Sequence, residues 1–245
     1  MKVVVPMAGR GSRLAAEGIT TPKPLLPVAG RPMLAWALES LVGLSYSEMI
    51  FVALKTHDRD YHLQDALRPW VTGEPSVVLL DDVTEGQLCT VLAAREFIDA
   101  DEDLLIASSD TYVVSDLGEA IATRDEKCRG LISVANMPGD QWSFARTDER
   151  GRVVEVAEKV RISDHASTGL YYFASGREFV EVADEIIRRR QKTRGEYYVI
   201  PVYQKYVARG WWVGISKAAE MWDMGTPGAL VQLESMLLQH RRATS

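Results

Sequence analysis

Two basic residues ten positions apart, Arg13 and Lys23, follow an apolar run and two glycines in VVPMAGRGSRLAAEGITTPKPLLPV, residues 4–28. Gly9 and Gly11 let a backbone turn sharply and present N–H groups, and an arginine just behind them offers a forked cation suited to phosphate oxygens. Lys23 stands between Pro22 and Pro24, in chain that is extended and stiff. Residue by residue, the same features also describe a glycine turn with two surface cations. The two common phosphate loops do not fit: the sixth position of a GxGxxG pattern is Leu14, and no GK followed by Ser or Thr occurs.

A carboxylate at Asp110 ends the run LLIASSD, where α/β sheets gather ligands at the C-terminal ends of parallel strands; a turn or helix cap would place an aspartate there equally well. Cys89 and Cys128 have no metal-like spacing, so neither a zinc site nor a disulfide framework is indicated, and a reduced, cytoplasmic setting is expected. His57, His62 and His240 read as surface residues, His165 as an incidental loop histidine, and the Trp211–Trp212 pair as core packing first and ligand stacking second.

The elements that must position these residues alternate. Strands are expected over 2–7, 48–54, 76–80 and 103–108, and helices over 33–44, 61–67 and 87–97. That order implies an α/β, mostly parallel sheet with crossover helices. After Gly130, the short runs GLISVAN, SFARTD, RVVEVAEK and STGLYYF suggest hairpins beside the sheet, followed by a helix over 176–190. One domain over 1–245 is expected, with a nucleotide-binding half to about residue 129 and an acceptor-binding half from about 130. The net charge of −6 argues against a nucleic-acid or anionic-membrane surface. No apolar run approaches the ~18 residues of a membrane span, and no secretory signal peptide is expected from the opening MKVVVPMAG.

Five segments in order resemble one family. AGRGSRL with TPKPLLPVAGRPML, then LLIASSDTYV, VVEVAEKV, HASTGLYYF and MWDMGTP are similar to the signatures of the sugar-phosphate nucleotidylyltransferases, spanning residues 1 to about 230. The resemblance implies a Rossmann-like mixed sheet of the GT-A-like nucleotidyltransferase type with a β-rich acceptor half. It implies that Arg13 clamps the leaving phosphates, that Lys23 neutralises charge at the transferring phosphoryl group, and that Ala8, Gly9, Gly11 and Ser12 hold the triphosphate. Asp110 and Asp223 become the ligands of Mg²⁺, for which two carboxylates from separate segments are suitable hard donors. Glu158, Lys159, Thr168, Gly169 and Glu196 become acceptor residues, with Lys159 on the acceptor phosphate; Val160 departs from the pattern, which carries proline there. In LLDDVTEGQL, which resembles the base-binding loop, Gly86 lies against the base and Asp81 faces its edge. An acceptor-only carboxylate there favours the amino groups of cytosine or guanine.

The implied reaction is attack by an acceptor phosphate on the α-phosphorus of an NTP, with release of pyrophosphate and formation of an NDP-sugar-type product for surface polysaccharide or glycoconjugate synthesis. The expected partners are thus an NTP and a sugar 1-phosphate or other small phosphorylated acceptor, with room for a homo-oligomer and with neither nucleic acid nor membrane. A glycosyltransferase of related fold and a non-catalytic nucleotide-binding relative are the alternatives. The acyltransferase β-helix carried by some larger relatives is not expected, since one last helix brings the chain to Ser245.

Overall fold

The computed structural model describes residues 1–9, 11, 18, 19 and 21–243, with side chains described up to residue 237. Arg13 and Ser12 lie outside the described residues.

Strand β1 (Lys2–Pro6) is central, and its run of β-branched valines explains its place: Val3, Val4 and Val5 are all fully buried, alternating between two cores. It pairs in parallel with β4 (Glu48–Leu54) on one side and β6 (Leu104–Ala107) on the other, and β5 (Ser76–Leu80) adds to β4, again parallel. Between β1 and β4 come a short hairpin, β2 (Pro27–Val28) with β3 (Arg31–Pro32), and helix α1 (Met33–Glu39). Helices α2 (Lys55–Tyr61) and α3 (Leu63–Leu67) follow β4, while α4 (Gln87–Leu92) and α5 (Arg95–Ile98) follow β5.

Past β6 the sheet changes character. The chain crosses to the far edge as β7 (Thr111–Ser115), continues through α6 (Leu117–Thr123), and returns as β8 (Cys128–Ala135). Strands β9 (Ser143–Thr147) and β10 (Val153–Glu158) form the expected hairpin, and β11 (Ala166–Phe173) lies antiparallel between β6 and β8. Helices α7 (Gly176–Arg188) and α8 (Pro201–Ala208) precede the long β12 (Trp212–Asp223), which is parallel to β8 and antiparallel to β7; α9 (Pro227–Ala243) ends the chain. The sheet order is β5-β4-β1-β6-β11-β8-β12-β7. The expected α/β architecture, a mixed sheet flanked by helices, is what is observed.

The differences from expectation have local causes. The helix expected over 61–67 begins only at Leu63, as α3, because His62 takes a left-handed φ of +48° and separates it from α2, which ends at Tyr61. The helix expected over 33–44 stops at Glu39, and that over 87–97 is interrupted between Leu92 and Arg95. Trp211 packs edge-on against Tyr206 at 4.8 Å, in keeping with a core role. Helix α9 matters for the site: Leu233 packs with Val28, Met33 and Trp36, and Glu234 accepts from the backbone N–H of Ala29 at 2.9 Å, so the end of the chain braces the hairpin that follows Lys23.

Candidate active site

Three segments leave the C-terminal ends of parallel strands and meet in one cleft: the glycine turn after β1, residues 83–87 after β5, and residues 108–110 after β6. The cleft has two adjoining cavities of about 470 and 560 Å³. Pro6, Gly9, Gly11, Gln87 and Glu196 line both. Lys23, Asp110 and Lys159 line the first, whereas Ala8, Thr84, Gly86 and Thr90 line the second.

Lys23 opens a short 3₁₀ turn (Lys23–Leu25) and donates from Nζ to Asp110 Oδ2. Asp110 also accepts from Ser108 Oγ at 2.7 Å. Burial pushes the Asp110 carboxyl up, but the Lys23 ammonium and these hydrogen bonds outweigh it and hold the group below the ordinary carboxylate value. Ser108 is itself backed by Gly169, whose φ is +84° and where a Cβ would stand 2.7 Å from that of Ser108. Only glycine allows that approach. Thr168, beside it, is 1% exposed and lies beneath the cleft rather than in its lining.

Sheet register brings the backbone of Asp223 beside Asp110, although Asp223 is not among the residues that line the two cavities. It pairs with Thr111 across β12 and β7, and the N–H of Met224 donates to the Asp110 carbonyl at 2.9 Å. Its carboxylate accepts from the N–H of Gly225, a residue of the cleft lining, at 2.9 Å. Asp110, just before β7, and Asp223, the last residue of β12, are the two carboxylates that could hold Mg²⁺, which takes one or two protein carboxylates and leaves its other positions to phosphate and water.

Across the cleft, Glu158 ends β10 and Lys159 follows with a left-handed φ of +55°. Glu158 is 8% exposed; burial raises its carboxyl above the ordinary range, against the pull of the Ser143 hydroxyl that donates to it and of nearby Lys159. Glu158 sits behind Lys159 and does not line the cavities. Lys159 donates to the Tyr198 hydroxyl at 2.7 Å.

Gly86 joins the two sides. Its φ is +137°, and a Cβ there would stand 2.4 Å from the carbonyl oxygen of Tyr197. The N–H of Tyr197 donates to Glu85 and the N–H of Leu88 to Tyr197, so the loop after β5 is bound to the segment carrying Glu196 and Tyr198.

Asp81 is not brought to the cleft. Its side chain is 86% exposed and pairs with Lys55 at 2.7 Å, at the ends of the neighbouring strands β5 and β4, outside the lining of both cavities. Thr84, Gln87 and Thr90 line that cavity instead. These residues, together with Ser108, Ser109 and Tyr198, were not singled out in the sequence; the doubled serine of ASSD and the doubled tyrosine of EYY were the available signals.

The family model for nucleotidyl transferases matches residues 2–240. The chain belongs to the nucleotidyl transferase family. This nucleotidyl transferase is 40% identical over 111 residues, 43% of its length, to the CMP-5'-(3-aminopropyl)phosphonate synthase of Streptomyces rubellomurinus. It is 25% identical over 206 residues, 81% of its length, to the bifunctional protein GlmU of Thermotoga maritima. The matched stretches span 17% and 43% of those proteins, well under two thirds of either. In fold it is similar to a nucleoside-diphosphate-sugar pyrophosphorylase from Vibrio cholerae RC9, with a TM-score of 0.82 and 24% identity over 95% of this chain and 99% of that one.

Proposed function

We propose that this nucleotidyl transferase moves a cytidylyl group from CTP to a small phosphorylated or phosphonate acceptor, releasing pyrophosphate. The observation that carries the reading is that one cleft has Lys23 and Asp110 at its glycine-turn side and Lys159 opposite. An acceptor oxygen held by Lys159 attacks the α-phosphorus in line; the new O–P bond forms as the bond from that phosphorus to the bridging oxygen of the β-phosphate breaks, and pyrophosphate carries away the electron pair. The acceptor is already anionic, so no protein nucleophile is needed, and alignment with charge neutralisation is the protein's contribution.

The residues take complementary parts. N–H groups at Gly9 and Gly11 face the triphosphate, and Arg13, outside the described residues, is assigned to the leaving phosphates by resemblance. Lys23 neutralises charge at the transferring phosphoryl group. Asp110 and Asp223 would hold Mg²⁺, which when bound supplies further neutralisation of the triphosphate. Thr84, Gln87 and Thr90 surround the base. Cytosine is favoured by the likeness to a synthase whose named product carries CMP, and not by Asp81, which lies outside the cavity lining.

Pyrophosphate release, measured with CTP, GTP, ATP, UTP and dTTP against 3-aminopropylphosphonate and glucose 1-phosphate, tests the proposal. Release that needs both substrates and is fastest with CTP is expected. Preference for UTP or dTTP overturns the base, and release with no acceptor dependence overturns the reaction.

A further inference from the structure

Lys159 is held by a segment distant in sequence, residues 194–198, rather than by the chain that follows it. A proline confines the residue before it to extended backbone near a φ of about −120°. The φ of +55° at Lys159 is open because residue 160 is valine, 52% exposed. The contacts that fix the lysine come mainly from one segment. Its carbonyl accepts from Arg194 Nη2 at 2.9 Å, and its ammonium donates to the Tyr198 hydroxyl at 2.7 Å while lying 4.8 Å from the centre of the Tyr198 ring. Its N–H donates to the Trp142 carbonyl at 2.9 Å. Among the described residues, Tyr198 is the hydrogen-bond partner of that ammonium. Tyr198 cannot drift, because its neighbour Tyr197 is bound to the backbone of Glu85 and Leu88.

We propose that Tyr198 is the positioning residue of the acceptor site, holding the Lys159 ammonium at the cleft so that it meets an acceptor phosphate or phosphonate oxygen. The inference rests on the reading of Lys159 as the acceptor-anion ligand. An ammonium has three protons to donate, so the bond to Tyr198 persists while another proton goes to the anion. The hydroxyl fixes the direction of the ammonium. Tyr198 thus does in this chain what a proline at 160 could not do at the observed φ, and acceptor affinity depends on a side chain that is tethered to the nucleotide loop.

Inorganic phosphate is the probe, titrated into the full chain while the Lys159 ammonium resonance is followed by ¹H–¹⁵N correlation and affinity is measured by calorimetry. The resonance is assigned by its loss in Lys159→Ala. In the wild type it should be visible and should shift with phosphate. In Tyr198→Phe, which keeps the ring, it should broaden through faster exchange with water, and phosphate should bind about tenfold more weakly, the scale of one hydrogen bond to a charged group. In Lys159→Ala, adding Tyr198→Phe should cost nothing more. Phosphate that leaves the wild-type Lys159 resonance unmoved overturns the reading of Lys159 itself. Phosphate that binds wild type and Tyr198→Phe equally, with the resonance moving alike in both, overturns the role of Tyr198 alone.

Discussion

The N–H of Met224 donates to the carbonyl of Asp110 at 2.9 Å, tying the residue after Asp223 to an aspartate that lines the cleft. The register Asp223↔Thr111 fixes the same relationship from the sheet side. Two residues far apart in the chain therefore share one position through strand pairing, independently of any bound ion.

Because strand register and not the carboxylates makes that junction, Asp110→Asn and Asp223→Asn should each fold. If they hold Mg²⁺ as proposed, each should lose turnover by about a thousandfold or more, since the metal would be asked to lower the barrier by several kcal/mol. Pyrophosphate release titrated with Mg²⁺, beside a melting curve for each variant, checks this. Near-normal Mg²⁺-dependent release in both variants would remove them from the metal site.

Acid should weaken the Lys23–Asp110 contact in a defined direction. Asp110 titrates lower in the folded chain than unfolded, so its contribution to stability is present above the ordinary carboxylate range and is lost as pH falls through its folded value. The stability difference between wild type and Asp110→Asn should therefore shrink on acidification. Urea midpoints measured across the acid range would show it; a difference that grows toward low pH contradicts the assignment.

Glu158 should behave in the opposite sense. Its folded value is raised, so the fold favours the protonated acid, and stability falls as pH rises from the ordinary carboxylate value through the folded one. Glu158→Gln keeps an oxygen to accept from Ser143 and has no charge to bury. The variant should melt higher than wild type at neutral pH, with the advantage vanishing in acid.

Gly86→Ala should be costly, because the added methyl meets the Tyr197 carbonyl oxygen at 2.4 Å and alanine resists a φ of +137°. A loss of about 2–4 kcal/mol is expected from strain of this kind. Urea unfolding measures it, and nucleotide and acceptor affinities should fall together, since the glycine joins both loops.

Val160→Pro should restore the family pattern and yet harm this protein. Proline would drive Lys159 out of its left-handed backbone and away from Tyr198, so acceptor KM should rise while nucleotide binding holds. Unchanged acceptor KM would show that the backbone of Lys159 is not what aims its side chain.

Much of the fold is written in local pattern. The buried valines of β1, the apolar runs of β4 and β6 and their alternation with helices imply a parallel sheet, because such runs are stable only when covered on both faces. Gly9, Gly11, Lys23 and Asp110 stand out by residue type at strand ends, whereas Lys159 is singled out only by the family resemblance, because a lysine at a strand end carries no local signal of its own. The sequence by itself determined which residue types stand at the ends of which strands. It could not decide that Asp81 turns to Lys55, that Thr84 and Gln87 enter the cleft, or that Tyr198 takes the Lys159 ammonium. Those are decided by register and by contacts between distant segments. Tertiary structure alone brings β12 beside β7, and so Asp223 beside Asp110, because hydrogen-bonded strand pairing acts between segments whose separation along the chain carries no local signal.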